Sequence, residues 1–187
     1  MEVVDKEIER VRTEIGAVTA QDPEADLLSD LCAILGIKTA DLKSAVGSCF
    51  ERLRGAYTTA MALEIDGEEV LAAFRDPHGI RPGVYGRKGD AWMVASESVA
   101  LDVLGFELLG DVLPGEAICV TQTGELHREQ CADSPKLTPC IFEHVYFARP
   151  DSLIDSISVY KTRMRQGAAL AKKILRERPE NDIDVVI

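Results

Sequence analysis

The stretch Cys140-Ile-Phe-Glu-His-Val-Tyr-Phe-Ala-Arg-Pro-Asp-Ser-Leu-Ile-Asp-Ser-Ile-Ser-Val-Tyr160 constrains this chain most, because its structural period changes across a fixed break. Ile141, Val145, Tyr146 and Phe147 are β-branched or aromatic and predict a strand. Arg149-Pro150-Asp151-Ser152 ends it, since proline fixes φ and the Asp and Ser side chains bond back to the backbone. Asp155 or Ser156 then stands where a helix cap would. Ile157, Tyr160, Met164, Ala168, Ala171 and Ile174 recur three or four apart, so the helix carries one apolar stripe to bury. The residues before the break read as one β-rich body with surface helices, and those after it read as the opening of something else.

The charge changes sign at the same place. Residues 161–187 carry a net +3, whereas the chain as a whole carries −11, so the first 160 residues carry −14. Two explanations stand: cations gathering toward a helix C-terminus, where the macrodipole favours them, or a face that steers an anionic substrate. The overall negative charge opposes a phosphate backbone, which argues against nucleic acid as a partner. With 46% hydrophobic and 28% charged residues the composition is that of a soluble globular protein, and 187 residues suffice for one core of ordinary size, or for one domain plus part of another. No run approaches a membrane span and Met1-Glu2-Val3-Val4-Asp5-Lys6-Glu7 is no signal peptide, so the cytoplasm is expected and no membrane partner is. Cys32, Cys49, Cys119, Cys131 and Cys140 form no C-x-x-C pair, which suggests buried thiols rather than zinc or a disulfide framework.

Along the chain, helices are predicted over about 6–16, 23–35 and 39–54, the second opened by Asp22-Pro23-Glu24 and the third capped by Thr39 and closed by Gly55. From Ala56 the period becomes that of strands: 56–65 and 68–74 around Asp66-Gly67 form a hairpin, apolar on both faces and therefore part of a sheet covered on both sides. Further strands are predicted at 83–85, 91–95, 117–121 and 126–129, with a short helix at 97–104. Residues 182–187 read as an apolar strand after a helix, the way a parallel α/β unit starts; the alternative is an edge strand of the preceding body.

Three blocks in this order carry a resemblance: Phe74-Arg75-Asp76-Pro77-His78-Gly79-Ile80-Arg81-Pro82, Val94-Ala95-Ser96-Glu97-Ser98-Val99-Ala100-Leu101-Asp102, and Phe142-Glu143-His144-Val145-Tyr146-Phe147-Ala148-Arg149-Pro150-Asp151-Ser152 followed by Ile157-Ser158-Val159-Tyr160. Together they resemble amidophosphoribosyltransferases, the glutamine-dependent enzymes of the first committed step of purine synthesis, over about Asp22 to Ile187. The resemblance implies an α+β fold: the C-terminal part of an αββα glutaminase domain of the N-terminal-nucleophile hydrolase type (1–148), then the linker, first helix and first strand of an α/β phosphoribosyltransferase domain (149–187). It implies glutamine and phosphoribosyl pyrophosphate as substrates, Mg in the full-length enzyme, and a homo-oligomer. Asp22 would bind the amino group of glutamine, or serve only as a helix cap, because one extra residue separates it from Leu27-Leu28. Tyr160 matches a tyrosine lining the ammonia channel, although an aromatic on a helix stripe is also an ordinary core residue. Cys140 aligns with an iron-sulfur ligand of some members, but one thiolate cannot hold a cluster and none is expected.

The family's nucleophile is an N-terminal cysteine, and this sequence starts Met1-Glu2 with its first cysteine at Cys32 inside a predicted helix. No catalytic residue and no metal ligand is therefore assigned. His78 reads as a turn residue, and His127 and His144 lack partners at metal-ligand spacing. Gly83-Val84-Tyr85-Gly86-Arg87-Lys88-Gly89 lacks the following helix and Lys-Ser/Thr of a phosphate loop, and Arg75 to Pro82 reads as an architectural loop. The expectation is a fragment lacking both reactive centres and inactive alone; the alternatives are a non-catalytic interaction module or one piece of a split enzyme.

Overall fold

A computed structural model describes residues 42–65, 68–180 and 184–185. Helix α1 (Leu42–Arg52) is followed by strands β1 (Thr58–Ile65), β2 (Glu68–Arg75), β3 (Val84–Lys88) and β4 (Ala91–Ala95). Next come helix α2 (Ser98–Leu104) and strands β5 (Glu107–Asp111), β6 (Glu116–Val120) and β7 (Leu126–Gln130). A π-helical turn (Glu143–Phe147), the two-residue strands β8 (Leu153–Ile154) and β9 (Ile157–Ser158) and helix α3 (Val159–Glu177) complete it.

Two antiparallel sheets, ordered β1-β2-β6-β7 and β4-β3-β5, stack face to face. The alternation of side chains along a strand decides what lies where. Ala73 and Ile118, paired across β2 and β6, point inward with Tyr85, Val112, Trp92, Val94 and Leu126 to fill the space between the sheets. Phe74 and Ala117, one residue on, point outward and are covered by Ala45, Val46 and Cys49 of α1 together with Cys131. Phe74 meets Phe50 and Tyr57 edge-on, both at 6.0 Å. The second sheet is covered by α2, which approaches closely because β3 has a glycine under it: a Cβ on Gly86 would lie 2.5 Å from Leu101 Cδ2 and collide with the Glu107 carbonyl. The layers are thus helix, sheet, sheet, helix. The expected α+β architecture is present in the described residues, with both faces of β2 buried.

The hairpin expected around Asp66-Gly67 forms with Ile65 opposite Glu68, the two turn residues lying outside the described set. Also outside it lie the helices expected at 6–16 and 23–35, Thr39, and most of the strand expected at 182–187, of which Asp184 and Val185 are described and are not in a strand. Strand β5 was not expected from the sequence.

The stretch after Cys140 departs from expectation in three ways. Residues 143–147 are a π-helical turn rather than a strand, with Ala148 N–H bonded to the Glu143 carbonyl at 2.9 Å. β propensity reflects packing on a half-buried pleated surface, and here Ile141, Val145, Tyr146 and Phe147 are exposed, so nothing enforces the strand. Asp155 and Ser156 do not cap α3. They form the left-handed turn of the β8–β9 hairpin (φ 47 and 64), and Ser158 is the cap, its Oγ accepting the Lys161 N–H at 3.3 Å. Finally, the stripe of α3 is not buried: Tyr160 and Met164 are both 59% exposed, and Val159 at the first turn is the helix's buried residue.

Candidate functional site

Strand β2 ends in the most fully engaged side chain of the junction. Arg75 is 1% exposed, and all five guanidinium N–H groups are used. Nε donates to the Arg81 carbonyl (2.7 Å), Nη1 to the Val112 carbonyl (2.9 Å) and Asp155 Oδ1 (2.7 Å), and Nη2 to the Gly79 carbonyl (2.7 Å) and Asp155 Oδ2 (3.0 Å). Three of these acceptors belong to the body, and the fourth, a bidentate carboxylate, lies 80 residues away in the β8–β9 hairpin.

The carbonyls of Gly79 and Arg81 are in place because the next residue builds the loop. Asp76 is fully buried and has no cation paired with its carboxylate among the described residues; it accepts backbone N–H groups instead, His78 on Oδ1 (2.9 Å), Ile80 on both oxygens (3.3 and 3.0 Å) and Arg81 on Oδ2 (3.3 Å). Gly79 allows the turn, at φ 57 and with Pro114 Cγ 2.7 Å from where a Cβ would be. His78 is a turn residue of this loop, exposed, its carbonyl accepting the Thr138 N–H at 2.8 Å.

The second and third blocks close on the same point. Glu97, just ahead of α2, accepts the Arg149 N–H and the Ser152 hydroxyl on Oε2, both at 2.8 Å. Ser98 Oγ accepts the Leu153 N–H at 2.8 Å, and Asp111 Oδ1 at the end of β5 accepts the Asp155 N–H at 3.0 Å. Arg81 pairs with Glu143 at 2.7 Å and lies over the Phe147 ring. Arg163 of α3 reaches back to the carbonyls of His144 (2.8 Å) and Ala148 (2.7 Å), holding the π-helical turn from its C-terminal side. His144 is buried, its Nδ1 without a hydrogen-bond partner among the described residues. The three sequence blocks therefore meet as one polar junction that fastens residues 143–163 to both sheets.

Charge at this junction is unbalanced. Burial pushes the Asp111 carboxyl above its ordinary value, opposed by the Asp155 N–H, and the Asp155 charge raises it further while Arg75 lowers it.

The described residues hold no activated nucleophile. Burial raises the thiols of Cys49, Cys119 and Cys131, the last to about 11 with Glu129 adding to the effect, so each is a protonated, unreactive thiol at neutral pH. This disposes of the open cleft of about 520 Å3 beside α1, lined by Lys43, Ser48, Glu51, Cys131, Asp133 and Ser134, as a cysteine-based site. Among the described residues no three His, Cys, Asp or Glu gather to hold a metal ion. The Arg75–Asp155–Asp111 group does not suit Mg, because its carboxylate oxygens are already taken by guanidinium and amide donors.

Of the residues singled out from sequence, Asp22 lies outside the described set. Tyr160 is described, and its exposed ring excludes a core role in these residues, while its N–H bonds the Pro150 carbonyl at 3.0 Å. Cys140 is half-buried and has no second thiol assembled beside it among the described residues. Sequence reasoning missed Asp111, Asp155 and Arg163 as junction residues. The signal for Asp155 was its place before Ser156 in a stretch read as a helix cap, and Asp111 carried none.

A glutamine amidotransferase domain family matches residues 16–103. Amidophosphoribosyltransferase of Pseudomonas aeruginosa is 55% identical over 151 residues, 79% of this chain and 30% of that protein. The Escherichia coli enzyme of the same name is 49% identical over 156 residues, 81% and 30% respectively. Among solved structures, the glutamine phosphoribosylpyrophosphate amidotransferase of B. subtilis, complexed with ADP and GMP, superposes with a TM-score of 0.69 at 29% identity, covering 92% of this chain and 36% of that one. The chain spans about 30% of the length of these curated relatives. With the layered sheets and the interlocked blocks already established, these likenesses show that the chain belongs to the amidophosphoribosyltransferase family.

Proposed function

We propose that this chain supplies part of the glutamine amidotransferase half of an amidophosphoribosyltransferase (1–148) and the linker and start of its phosphoribosyltransferase half (149–187). The complete reaction hydrolyses glutamine to glutamate and ammonia, and the ammonia nitrogen then displaces pyrophosphate from C1 of phosphoribosyl pyrophosphate to give 5-phosphoribosylamine. The observation that supports this reading is the convergence of all three sequence blocks on one junction, which fastens residues 143–163 to both sheets where the exposed helix α3 begins. The exposed face of α3 supports it, because an apolar stripe starting at Tyr160 and Met164 is left for something beyond the body to cover.

Within this reading the described residues enclose and position, and perform no bond-breaking step. Asp22 would hold the amino group of glutamine, and the exposed Tyr160 ring would line the path taken by ammonia. Mg would act at the pyrophosphate of the substrate, outside the described residues. Assembly into a homo-oligomer and a cytoplasmic setting belong to the same proposal; no helix among the described residues is long and apolar enough to cross a membrane.

The test is a chimera in which this chain replaces the matching segment of the E. coli enzyme. The expected result is glutamine-dependent formation of 5-phosphoribosylamine. A soluble, folded chimera that neither hydrolyses glutamine nor uses added ammonia would refute the proposal, and would favour a non-catalytic binding module that presents the same exposed stripe.

A further inference from the structure

We infer that Arg75 and Asp155 are positioning residues: a latch that fixes the direction of helix α3 relative to the two-sheet body. Arg75 belongs to the body, since three of its five donors serve body carbonyls and its side chain is 1% exposed. Asp155 belongs to a hairpin of two-residue strands whose buried apolar side chain, Ile154, clusters with Ala148 and Val159 of the same segment, in a turn held at φ 47 and 64. The two meet 80 residues apart in sequence through a bidentate pair at 2.7 and 3.0 Å.

The hairpin leads into α3 without an intervening loop, β9 ending at Ser158 and α3 starting at Val159. The backbone carbonyls of Ser152 and Pro150 accept the N–H groups of Val159 and Tyr160, at 3.1 and 3.0 Å, so turn, hairpin and helix move together. When the hairpin is docked, the guanidinium is dry and neutralised. When it lifts away, water reaches the guanidinium.

Removing the carboxylate charge thus penalises the docked arrangement selectively, because undocking is the cheapest way to hydrate a buried unpaired cation. The other contacts lack this property. Arg149–Asp151 is a solvated pair within the linker, and the Glu97 and Ser98 contacts leave groups that water can serve once parted. The latch accordingly sets where everything attached through α3 stands relative to the glutamine amidotransferase part, and its bearing on the reaction rests on the function proposed above.

The test is amide hydrogen exchange on the 187-residue chain, comparing wild type, Asp155→Asn and the control Asp151→Asn. Asparagine tolerates the left-handed turn, so the substitution removes charge with little change of backbone preference. The amides of Arg149 and Leu153, bonded across to Glu97 and Ser98 of the body, are expected to exchange at least about tenfold faster in Asp155→Asn, while those of Val159 and Tyr160, bonded within the linker, and those paired between β2 and β6 keep their wild-type rates and Asp151→Asn changes none of them. Unchanged rates at Arg149 and Leu153, or an equal rise throughout including β2 and β6, would overturn the inference.

The same substitution in the chimera separates this inference from the function. Glutamine hydrolysis and ammonia-supported synthesis should persist while glutamine-supported synthesis falls. An inactive parent chimera would sink the proposed function and leave the exchange result to decide the latch.

Discussion

Replacing Asp76 with asparagine tests whether the loop after β2 is built by its carboxylate. The side chain is fully buried, and it meets three backbone N–H groups: His78 on Oδ1, Arg81 on Oδ2 and Ile80 shared between them, at 2.9 to 3.3 Å. Asparagine has the same shape but puts an NH2 where one oxygen was. In either orientation, the His78 or the Arg81 N–H then faces a donor. A buried donor left without a partner costs about 1–3 kcal/mol, and the remaining bonds lose the strengthening that a charged acceptor provides. The expected destabilisation is about 2–4 kcal/mol, a large share of the 5–15 kcal/mol typical of a domain. It should spread to the Gly79 and Arg81 carbonyls, whose positions Arg75 depends on. Urea unfolding followed by fluorescence of Trp92, the single tryptophan, is a suitable assay because that ring borders the core between the sheets. A midpoint shift equivalent to less than about 0.5 kcal/mol at unchanged slope would refute the argument.

Asp111→Asn should be at least as stable as wild type at pH 7. Folding raises the Asp111 pKa, so the folded protein carries an unfavourable charge above that value; wild-type stability rises as pH falls through it, and the gap between the two proteins closes. Thermal melts at several pH values check this, and an Asp111→Asn deficit that persists into acid would contradict it. Ser156→Gly should stabilise by up to about 1 kcal/mol, since a hairpin turn with two positive φ angles favours glycine at its second position, a gain partly offset by the freer unfolded chain. A lowered melting temperature would count against the turn geometry.

The sheets were legible because their strands combine β-branched or apolar residues with short turn signals. Val70 to Phe74 and Ala117 to Val120 could hardly be anything but strands covered on both faces. Strand β5 was not legible, because Glu107-Leu-Leu-Gly-Asp111 has no β-branched residue and contains a glycine; it is a strand because β3 offers it an edge beside the bulge at Tyr85 and Gly86. The linker misled for the opposite reason. Its aromatic residues satisfied a local preference that tertiary contacts overrode, as Arg81 engages Glu143 and Arg163 takes the carbonyls of His144 and Ala148. In the sequence the three blocks stand as separate signatures. Their meeting depends on contacts such as Arg75 to Asp155 and Glu97 to Ser152, at separations of 80 and 55 residues, which no local pattern encodes.

A buried ion pair fastens this linker, rather than an apolar contact, because the two differ in what they can specify. Exchanging a buried pair for well-packed apolar residues often leaves stability unchanged or raised, so stability alone gives little reason to keep one. Two-residue strands offer few side chains to interdigitate: Leu153 and Ile157 are exposed, and Ile154 is buried in a cluster with Ala148 and Val159 of the same segment, so an apolar seat on the sheets could slide by a residue at small cost. A guanidinium with three donors already committed to fixed carbonyls accepts a carboxylate in one plane and at one depth only. Sliding by one residue would leave the guanidinium and the carboxylate both dry and unpaired, and would also free the Asp155 N–H from Asp111. The arrangement therefore penalises every register but one, which is what a short linker must do if the helix after it is to point in a single direction.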